Sequence, residues 1–476
     1  MNNSAKQKYG LWIVVSILLF GNISSPLWAY FHEVAKLVPP DASPGDFFGE
    51  SVSTSGNYAI VGVPMDDDDG TNSGSACIYQ TDGISWTFMH KITASDAAAG
   101  YHFGQKVSMD GFYAIVGAPN AQGNEPNTGA AYVFYRQLKY IPPGGFVLVW
   151  EQKAKLIASD GQNGDLFGHA VAINDKYAAV AAPFAETHEG RDGAVYIFSR
   201  DGQTWTEETK ITDPVPDTLD SIFALSLSLW DNAVMIGEWY EGDCIAYTVT
   251  SGQAHIFRRR LVFIPPDNFV WRWLLENTLE SGNSGDGFGY SVAMDENFAI
   301  AGAPLYEKAG IYPNFWLGIW VDFYTENFES GTVIPFQNNA GAWSDMSQSS
   351  ISQQVVYGDG VGQAVSLYGD YIVVGAPIYD VNDNNNTGAA YILKRVGSTW
   401  ELFRRLTASD YQQYDHFGMS VCISRDYILV GAPLKRVMGQ IIGAAYVFKV
   451  CPITDLNYDC STNFMDFSIF ADQWLQ

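Results

Sequence analysis

The chain repeats one short pattern seven times at a fixed internal distance. In each copy an aromatic-glycine step, or an altered form of it, is followed 14 residues later by a step of the type Gly-Ala-Pro. The aromatic positions and their partners are Phe48 and Gly62, Phe103 and Gly117, Phe167 and Ala181, Phe223 and Gly237, Phe288 and Gly302, Val361 and Gly375, and Phe417 and Gly431. A constant offset inside units of about 55–73 residues predicts a repeat architecture.

Each unit contains four short strand patterns. The second strand alternates apolar and polar residues, as in Val107-Ser108-Met109, and a tight turn such as Asp110-Gly111 follows it. The third is almost wholly apolar and ends at a proline, and the fourth reads Gly-Ala-Ala-Tyr-Val-Phe at 129–134. Charged residues make up only 16% of the chain and glycines number 46, which suits a β-rich protein. Four antiparallel strands repeated seven times predict an all-β, seven-bladed β-propeller.

The two ends of the repeat array predict how the ring closes. The last fourth strand, Tyr446–Phe448, has no first strand after it. An unmatched first strand, Val34–Leu37, stands near the start of the chain. Pairing these two strands would complete the last blade and remove two exposed sheet edges.

These steps resemble the FG-GAP repeat family, whose best-known members form the seven-bladed propeller of integrin α subunits. The resemblance covers residues 30–449 and is closest to bacterial exported members. It is weakest in the fourth unit, where Phe223-Ala224 replaces aromatic-glycine and Gly237-Glu238-Trp239 replaces Gly-Ala-Pro. Integrin blades carry a calcium loop of the Asp-x-Asp-x-Asp-Gly type before the third strand. Only two- or three-residue turns stand there in this chain, so those calcium sites are not expected.

The first 29 residues predict a secretory signal peptide. Lys6 and Lys8 precede the apolar run Leu11–Phe20, and a cleavage site follows at Ala29. An uncleaved anchor is the alternative. No later segment is apolar enough to cross a membrane. We therefore expect a protein that is secreted or displayed at the cell surface, with a periplasmic location as the other choice.

The net charge limits the classes of partner. There are 52 acidic and 26 basic residues, which gives a formal net charge of −26. Such a surface repels phosphate backbones and anionic lipid, so we expect no nucleic-acid partner. It attracts cations, although a high negative charge also serves solubility alone.

Acidic residues recur at two positions before the aromatic step. One set lies two residues upstream: Asp46, Asp165, Asp286, Asp359 and Asp415. The other lies seven residues upstream: Asp41, Asp96, Asp160 and Asp410. They predict either caps of backbone N–H groups or weak calcium ligands. The loops 66–69 and 380–386 are also rich in carboxylate and amide oxygens, and are interpreted as solvated loops or hard-cation sites.

The C-terminal segment, residues 450–476, gives the sharper metal prediction. Six residues fall at the ligand positions of a twelve-residue EF-hand loop: Asp455, Asn457, Asp459, Ser461, Asn463 and Asp466. An apolar helix pattern follows, so we expect a short calcium-binding loop and helix. A plain helical tail is the alternative. Cys451 and Cys460 are close enough in sequence to pair.

This tail resembles one half of a type I dockerin. It departs from that family in having one loop instead of two and Cys460 at the turn glycine. The resemblance implies a calcium-dependent attachment to a cohesin-like or cell-surface partner.

The fifth unit has a long aromatic insertion between residues 305 and 330. Tyr312, Trp316, Trp320 and Tyr324 are the candidate ligand-binding residues, because flat rings suit sugars or protein side chains. Packing of these rings over the fourth unit is the alternative. Two shorter insertions, at 141–146 and 264–269, share the form Ile-Pro-Pro-x-x-Phe and predict extended outer hairpins with an architectural role.

No catalytic constellation stands out. The chain has no Gly-x-Ser-x-Gly elbow, no His-Glu-x-x-His pair and no phosphate loop. The sequence therefore predicts an exported, non-enzymatic binding or adhesion propeller for an extracellular protein or glycan, with calcium as the cofactor of its tail. The alternative is a propeller that acts on or binds an extracellular polysaccharide.

Overall fold

The regular structure is all β-strand, as the sequence predicts. The computed structural model describes residues 30–187, 193–214, 221–240, 252–265, 268–281, 286–304, 331–346, 359–381 and 385–451, and these contain no helix. Consequently no described helix could span a membrane. Residues Glu33–Phe448 form one compact unit.

The strands group into seven four-stranded antiparallel sheets. The first strand of the chain is β1 (Tyr30–Leu37). Blade 1 is β2 (Val52–Ser55), β3 (Tyr58–Val63), β4 (Ser75–Thr81) and β5 (Trp86–Ile92); blade 2 is β6 (Lys106–Asp110), β7 (Tyr113–Ala118), β8 (Ala130–Ile141) and β9 (Gly145–Leu156); blade 3 is β10 (Val171–Ile173), β11 (Tyr177–Ala182), β12 (Ala194–Asp201) and β13 (Thr204–Thr212).

The remaining four blades continue in the same order. Blade 4 is β14 (Ser221–Trp230), β15 (Ala233–Tyr240), β16 (Gln253–Ile264) and β17 (Asn268–Glu280); blade 5 is β18 (Ser291–Met294), β19 (Phe298–Ala303), β20 (Thr332–Asn339) and β21 (Ala342–Asp345); blade 6 is β22 (Val365–Tyr368), β23 (Tyr371–Ala376), β24 (Ala389–Val396) and β25 (Thr399–Leu406). Blade 7 contains β26 (Ser420–Ile423), β27 (Tyr427–Ala432) and β30 (Ala444–Cys451), and a small hairpin, β28 (Arg436–Val437) and β29 (Gln440–Ile441), precedes β30.

The blades close in a ring. The first strands of successive blades contact one another, and β26 of blade 7 contacts β2 of blade 1. Strand β1 completes blade 7 by pairing with β30, so the predicted closure by the two chain ends is confirmed. Lys36 of β1 also forms an ion pair with Asp410 at 2.7 Å. Closure in this way covers the outer edge of β30, which would otherwise be exposed.

A backbone hydrogen bond explains the fixed 14-residue offset. The N–H of the glycine in the aromatic-glycine step donates to the carbonyl of the glycine in the Gly-Ala-Pro step, as from Gly104 to Gly117 at 3.0 Å. The same bond joins Gly49 to Gly62 at 3.1 Å and Gly418 to Gly431 at 3.0 Å. A residue gained or lost in the hairpin between them would break this bond and flip the strand's buried face.

Neighbouring blades meet where the two glycine steps touch. Phe103 forms a parallel bridge with Gly74 of the preceding blade, and its ring is fully buried. Gly104 has a φ of +96°, and a Cβ there would lie 2.1 Å from the carbonyl oxygen of Ser75. Glycine is therefore required by both conformation and space. Between blades 3 and 4 the corresponding residues are Ala181 and Ala224, and Ala224 has a φ of 71°.

The antiparallel order sorts the connections to two ends of the propeller. Turns between the first and second strands and between the third and fourth strands lie at one end, the hairpin end. Loops between the second and third strands and the connections between blades lie at the opposite end, the loop end. The recurring aspartates all belong to the loop end.

Candidate functional site

Both sets of residues that the sequence singled out lie outside the described residues. These are the six loop residues from Asp455 to Asp466 and the four aromatic residues from Tyr312 to Tyr324. The signal peptide at 1–29 lies outside them too. The corresponding calcium, ligand and export assignments stay predictions.

The aspartates two residues before the aromatic step cap the backbone. Asp46 accepts a hydrogen bond from the N–H of Ser43 at 2.7 Å, and Asp165 accepts one from Gln162 at 2.7 Å. Asp415 does the same for Gln412 at 2.6 Å. The capping interpretation is confirmed for these residues. Burial raises the pKa of Asp46 to about 6, although the hydrogen bond from Ser43 works against that rise.

Three of the four aspartates seven residues before the step belong to groups of one Asp, one Lys and one Tyr. Asp96 accepts hydrogen bonds from Tyr132 Oη at 2.9 Å and Lys155 Nζ at 2.6 Å. The same arrangement is Asp160 with Tyr196 and Lys210 in blade 3, and Asp410 with Tyr446 and Lys36 in blade 7. Burial alone would raise the pKa of Asp410, but the hydrogen bonds from Lys36 and Tyr446 outweigh it and lower that pKa to about 2. A lysine ammonium group thus balances the carboxylate in each of these blades.

The acidic loop of blade 1 is balanced in the same way. Lys91 Nζ lies 2.7 Å from Asp66, 2.7 Å from Asp68 and 2.8 Å from Asp41. Burial acts to raise the pKa of Asp66, yet hydrogen bonds from Lys91 and Ser75 hold it below its usual value. One ammonium group therefore serves three carboxylates at this place.

Blade 4 departs from this arrangement. Asp213, Glu238 and His255 are all buried, and one ligand atom from each lies within 4.8 Å of the other two. His255 Nε2 is 2.7 Å from Glu238 Oε2, and His255 Nδ1 is 3.0 Å from Thr278 Oγ1. The second carboxylate oxygen of Glu238 is buried without a hydrogen-bond partner among the described residues. We call Asp213, Glu238, His255 and Thr278 the blade 4 cluster.

Strand register shows which residues of other blades the cluster replaces. His255 pairs with Thr278, just as Tyr132 pairs with Lys155 and Tyr196 with Lys210. The ring of His255 lies 5.8 Å from that of Phe223, and Tyr132 lies 5.4 Å from Phe103. The histidine therefore occupies the tyrosine position in space, and the threonine occupies the lysine position.

The two carboxylates replace small apolar residues. Glu238 follows the step glycine, where blades 2, 3 and 6 have the buried alanines Ala118, Ala182 and Ala376. Asp213 lies two residues after Ile211, whose register position corresponds to Ile92, Leu156 and Leu406 in blades 1, 2 and 6. Two residues after those positions, the buried residues are Ala94, Ala158 and Ala408. Four positions have thus changed together in one repeat unit, and their side chains meet at one point.

The sequence analysis noted Glu238 only as a departure from the Gly-Ala-Pro step and missed Asp213, His255 and Thr278. The signal was present in the fourth strand of the unit. Alignment of Gln253-Ala254-His255-Ile256-Phe257 on Ala130-Ala131-Tyr132-Val133-Phe134 places a histidine at the tyrosine position.

A second unusual feature lies at the hairpin end. The predicted extended hairpins are confirmed as β8–β9 and β16–β17, with strands of 12 or 13 residues. Eleven of the eighteen strongly exposed large apolar side chains in the described part of the chain lie on these two hairpins. Cross-strand register places eight of them on one face of their hairpin, where Tyr140 pairs with Phe146 in blade 2 and Phe263 pairs with Phe269 in blade 4. The other three, Ile141, Val147 and Leu274, lie on the opposite face. We call the two faces that carry the eight residues the apolar stripes.

A family model matches this chain, and a solved structure is similar to it. The model of the FG-GAP repeat matches residues 31–79, 86–134, 150–198, 278–311, 354–393 and 400–448, and most of blade 4 falls in the unmatched interval. Among solved structures, the β-propeller domain of the Trilobed protease from Pyrococcus furiosus is similar, with 8% identity, a TM-score of 0.41, and coverage of 91% of this chain and 98% of that one. No curated protein matches. Since the repeat matches cover more than half of its residues, the chain belongs to the FG-GAP repeat family.

Proposed function

We propose that this protein is an exported, non-enzymatic binding propeller that holds an extracellular protein through its two apolar stripes. The observation that carries the proposal is the concentration of exposed aromatic and aliphatic side chains on two matching hairpins. Single exposed apolar residues are ordinary on soluble proteins, whereas contiguous apolar patches mark interaction sites.

The stripes have the same construction. In blade 2, Leu138 lies beside Leu148, and the rings of Tyr140 and Phe146 are 5.4 Å apart. In blade 4, Leu261 lies beside Trp271, and the rings of Phe263 and Phe269 are 5.0 Å apart.

Each of the two long hairpins thus carries two cross-strand apolar pairs near its tip. Their side chains are strongly exposed, to 72% at Phe146 and 62% at Phe269. Aromatic residues on rigid strands are the usual anchors of protein interfaces. Because both stripes project from the hairpin end, one partner surface can bury them without disturbing the ring.

The test places a photo-cross-linking residue at Tyr140 and, as the matched control, at Ile84. Ile84 is 89% exposed at the tip of the short hairpin of blade 1, at the same end of the propeller. We expect labelling of a defined extracellular protein from position 140 and not from position 84. With that protein purified, the variant Phe263→Ser/Phe269→Ser is expected to bind at least about tenfold more weakly than Ile84→Ser.

Four outcomes would contradict this proposal. Equal labelling from both positions would show that the stripes have no preferred partner. Unchanged affinity in the Phe263→Ser/Phe269→Ser variant would exclude the stripe of blade 4 from the interface. Oligosaccharide products released from an extracellular polysaccharide would identify the enzyme alternative, and retention on a glycan array would identify a carbohydrate ligand.

We also propose that the tail at 450–476 binds calcium and attaches the protein to a cohesin-like or cell-surface partner. The support is the spacing of Asp455, Asn457, Asp459, Ser461, Asn463 and Asp466, which matches a twelve-residue calcium loop.

Calorimetry on the protein recovered from the culture medium tests this assignment. The first residue of that protein is expected to be Tyr30. One Ca²⁺ ion should bind with measurable heat, and Asp455→Ala/Asp466→Ala should abolish that heat. Asp82→Ala is the control, since Asp82 is an exposed turn residue in blade 1 that bonds only local N–H and hydroxyl groups. The absence of calcium heat in the intact protein would refute the assignment.

A further inference from the structure

We propose that the blade 4 cluster is a site for a divalent first-row transition ion of the zinc class. Its ligands would be carboxylate oxygens of Asp213 and Glu238 and the Nε2 atom of His255. No such site is implied by the tail or by the apolar stripes, so the inference is independent of the proposed function.

The first argument concerns charge. Glu238 is 1% exposed and His255 is fully buried, and one carboxylate oxygen of Glu238 has no hydrogen-bond partner among the described residues. An ionised carboxylate is rarely buried unless a cation or hydrogen-bond donors compensate it. In blades 1, 2 and 3 a lysine at the register position of Thr278 supplies a cation to a neighbouring aspartate. A metal ion bound among the three side chains would supply it in blade 4.

The second argument concerns geometry. The three ligand atoms lie within 4.8 Å of one another, and His255 Nε2 lies 2.7 Å from Glu238 Oε2. Ligands around a tetrahedral zinc ion are separated by about 3.4 Å, given metal–ligand distances of about 2.0–2.1 Å. The separation between His255 Nε2 and Glu238 Oε2 is shorter than that value and the other two are at most 4.8 Å, so small side-chain rotations would admit the ion. Asp213 is 8% exposed, which leaves one edge of the cluster near solvent.

The third argument concerns the histidine. Thr278 Oγ1 lies 3.0 Å from His255 Nδ1, where it can accept the Nδ1–H hydrogen bond. A partner at one ring nitrogen of this kind directs the other nitrogen toward a metal. Mixed imidazole and carboxylate ligands favour zinc and its neighbours, whereas calcium prefers oxygen ligands alone. The donor set therefore selects a different metal from the one proposed for the tail.

The experiment measures zinc on the full chain with the tail inactivated by Asp455→Ala/Asp466→Ala in every sample. After dialysis against a zinc buffer, elemental analysis should find about one Zn²⁺ per chain, and zinc should raise Tm by at least about 3 °C. Co²⁺ should give visible d–d bands from a low-symmetry site. Glu238→Gln, which keeps the side-chain volume, should weaken zinc binding at least about tenfold and remove the rise in Tm.

The sibling blades supply a second variant that should fold. Asp213→Ala, Glu238→Ala and His255→Tyr together restore the residue types of blades 2 and 3, so this protein should keep its metal-free Tm and lose zinc binding. His102→Gln is the control, because His102 contacts Asn120 in a different blade. Less than about 0.2 zinc per chain in the parent protein would overturn the proposal and identify the cluster as a hydrogen-bonded core. Equal zinc binding in the restored variant and its parent would overturn it as well.

Discussion

Gly104→Ala is expected to lower the free energy of unfolding by about 2–5 kcal/mol, from left-handed strain of about 1–2 and overpacking of about 1–3 kcal/mol. Gly104 has a φ of +96°, and an added Cβ would lie 2.1 Å from the Ser75 carbonyl oxygen and 3.0 Å from the Val63 nitrogen. Both atoms belong to the backbone of the preceding blade. Relief of the contact therefore requires two blades to move apart.

Gly100→Ala separates the two contributions. Gly100 has a φ of +80°, but nothing lies within 4 Å of a Cβ built there. This variant should lose only the conformational part, about 1–2 kcal/mol. Urea unfolding of both variants measures the difference. Equal losses would show that contact between the blades contributes nothing, and that the glycine is needed for its φ alone.

Lys435→Met is expected to lower the free energy of unfolding by about 3–5 kcal/mol near pH 7. This is the usual effect of removing one partner from a buried ion pair. Lys435 is fully buried, and its Nζ lies 2.8 Å from Asp415 Oδ2, which is 1% exposed. It also lies 3.3 Å from Asp410 Oδ1 and donates to the Asp410 carbonyl oxygen. Without the ammonium group the Asp415 carboxylate would remain buried and uncompensated.

The loss should depend on pH. Burial raises the pKa of Asp415 above its ordinary value even though Lys435 acts to lower it, so removal of Lys435 raises that pKa further. When the folded pKa exceeds the unfolded one, stability is higher at low pH and falls as pH rises through the interval between the two values. The deficit of Lys435→Met relative to the parent protein should therefore shrink as pH falls from about 7 to about 5.

Lys155→Met provides the comparison for a partly exposed pair. The side chains of Lys155 and Asp96 are 28% and 42% exposed, so solvent screens their interaction. Loss of this ion pair should lower the free energy of unfolding by about 0–1 kcal/mol. Urea unfolding at both pH values measures the loss of unfolding free energy in each variant. A loss in Lys435→Met no larger than that in Lys155→Met would contradict the buried ion pair as its cause. A deficit of Lys435→Met that grew on acidification would contradict it as well.

The fold could be read from the sequence because its determinants are local and repeated. The step from Phe103 to Gly117 encloses one hairpin, and the same hydrogen bond recurs in other blades. Strand alternation, turn residues and the unmatched strand at Val34–Leu37 then predict blade count and closure without knowledge of distant contacts. Caps such as Asp46 on Ser43 were predictable for the same reason, since the two residues are three apart.

The candidate sites needed distant contacts. Asp213, Glu238 and His255 are spread over 43 positions of sequence, counted from 213 to 255 inclusive, and belong to a connection and two different strands. The compensation of Asp410 by Lys36 joins residues 374 positions apart. No local pattern records which lysine neutralises which aspartate.

By itself, then, the sequence determined the seven repeat units, their four strands and the pairing of the two ends, because each depends on hydrogen bonds and side-chain alternation within a few residues. Only the tertiary structure decided what the departures from the repeat do. It brought the altered residues of blade 4 to one buried point and left the apolar stripes uncovered at the hairpin end. Burial and charge compensation are properties of neighbours in space, and the packing of blade against blade supplies those neighbours.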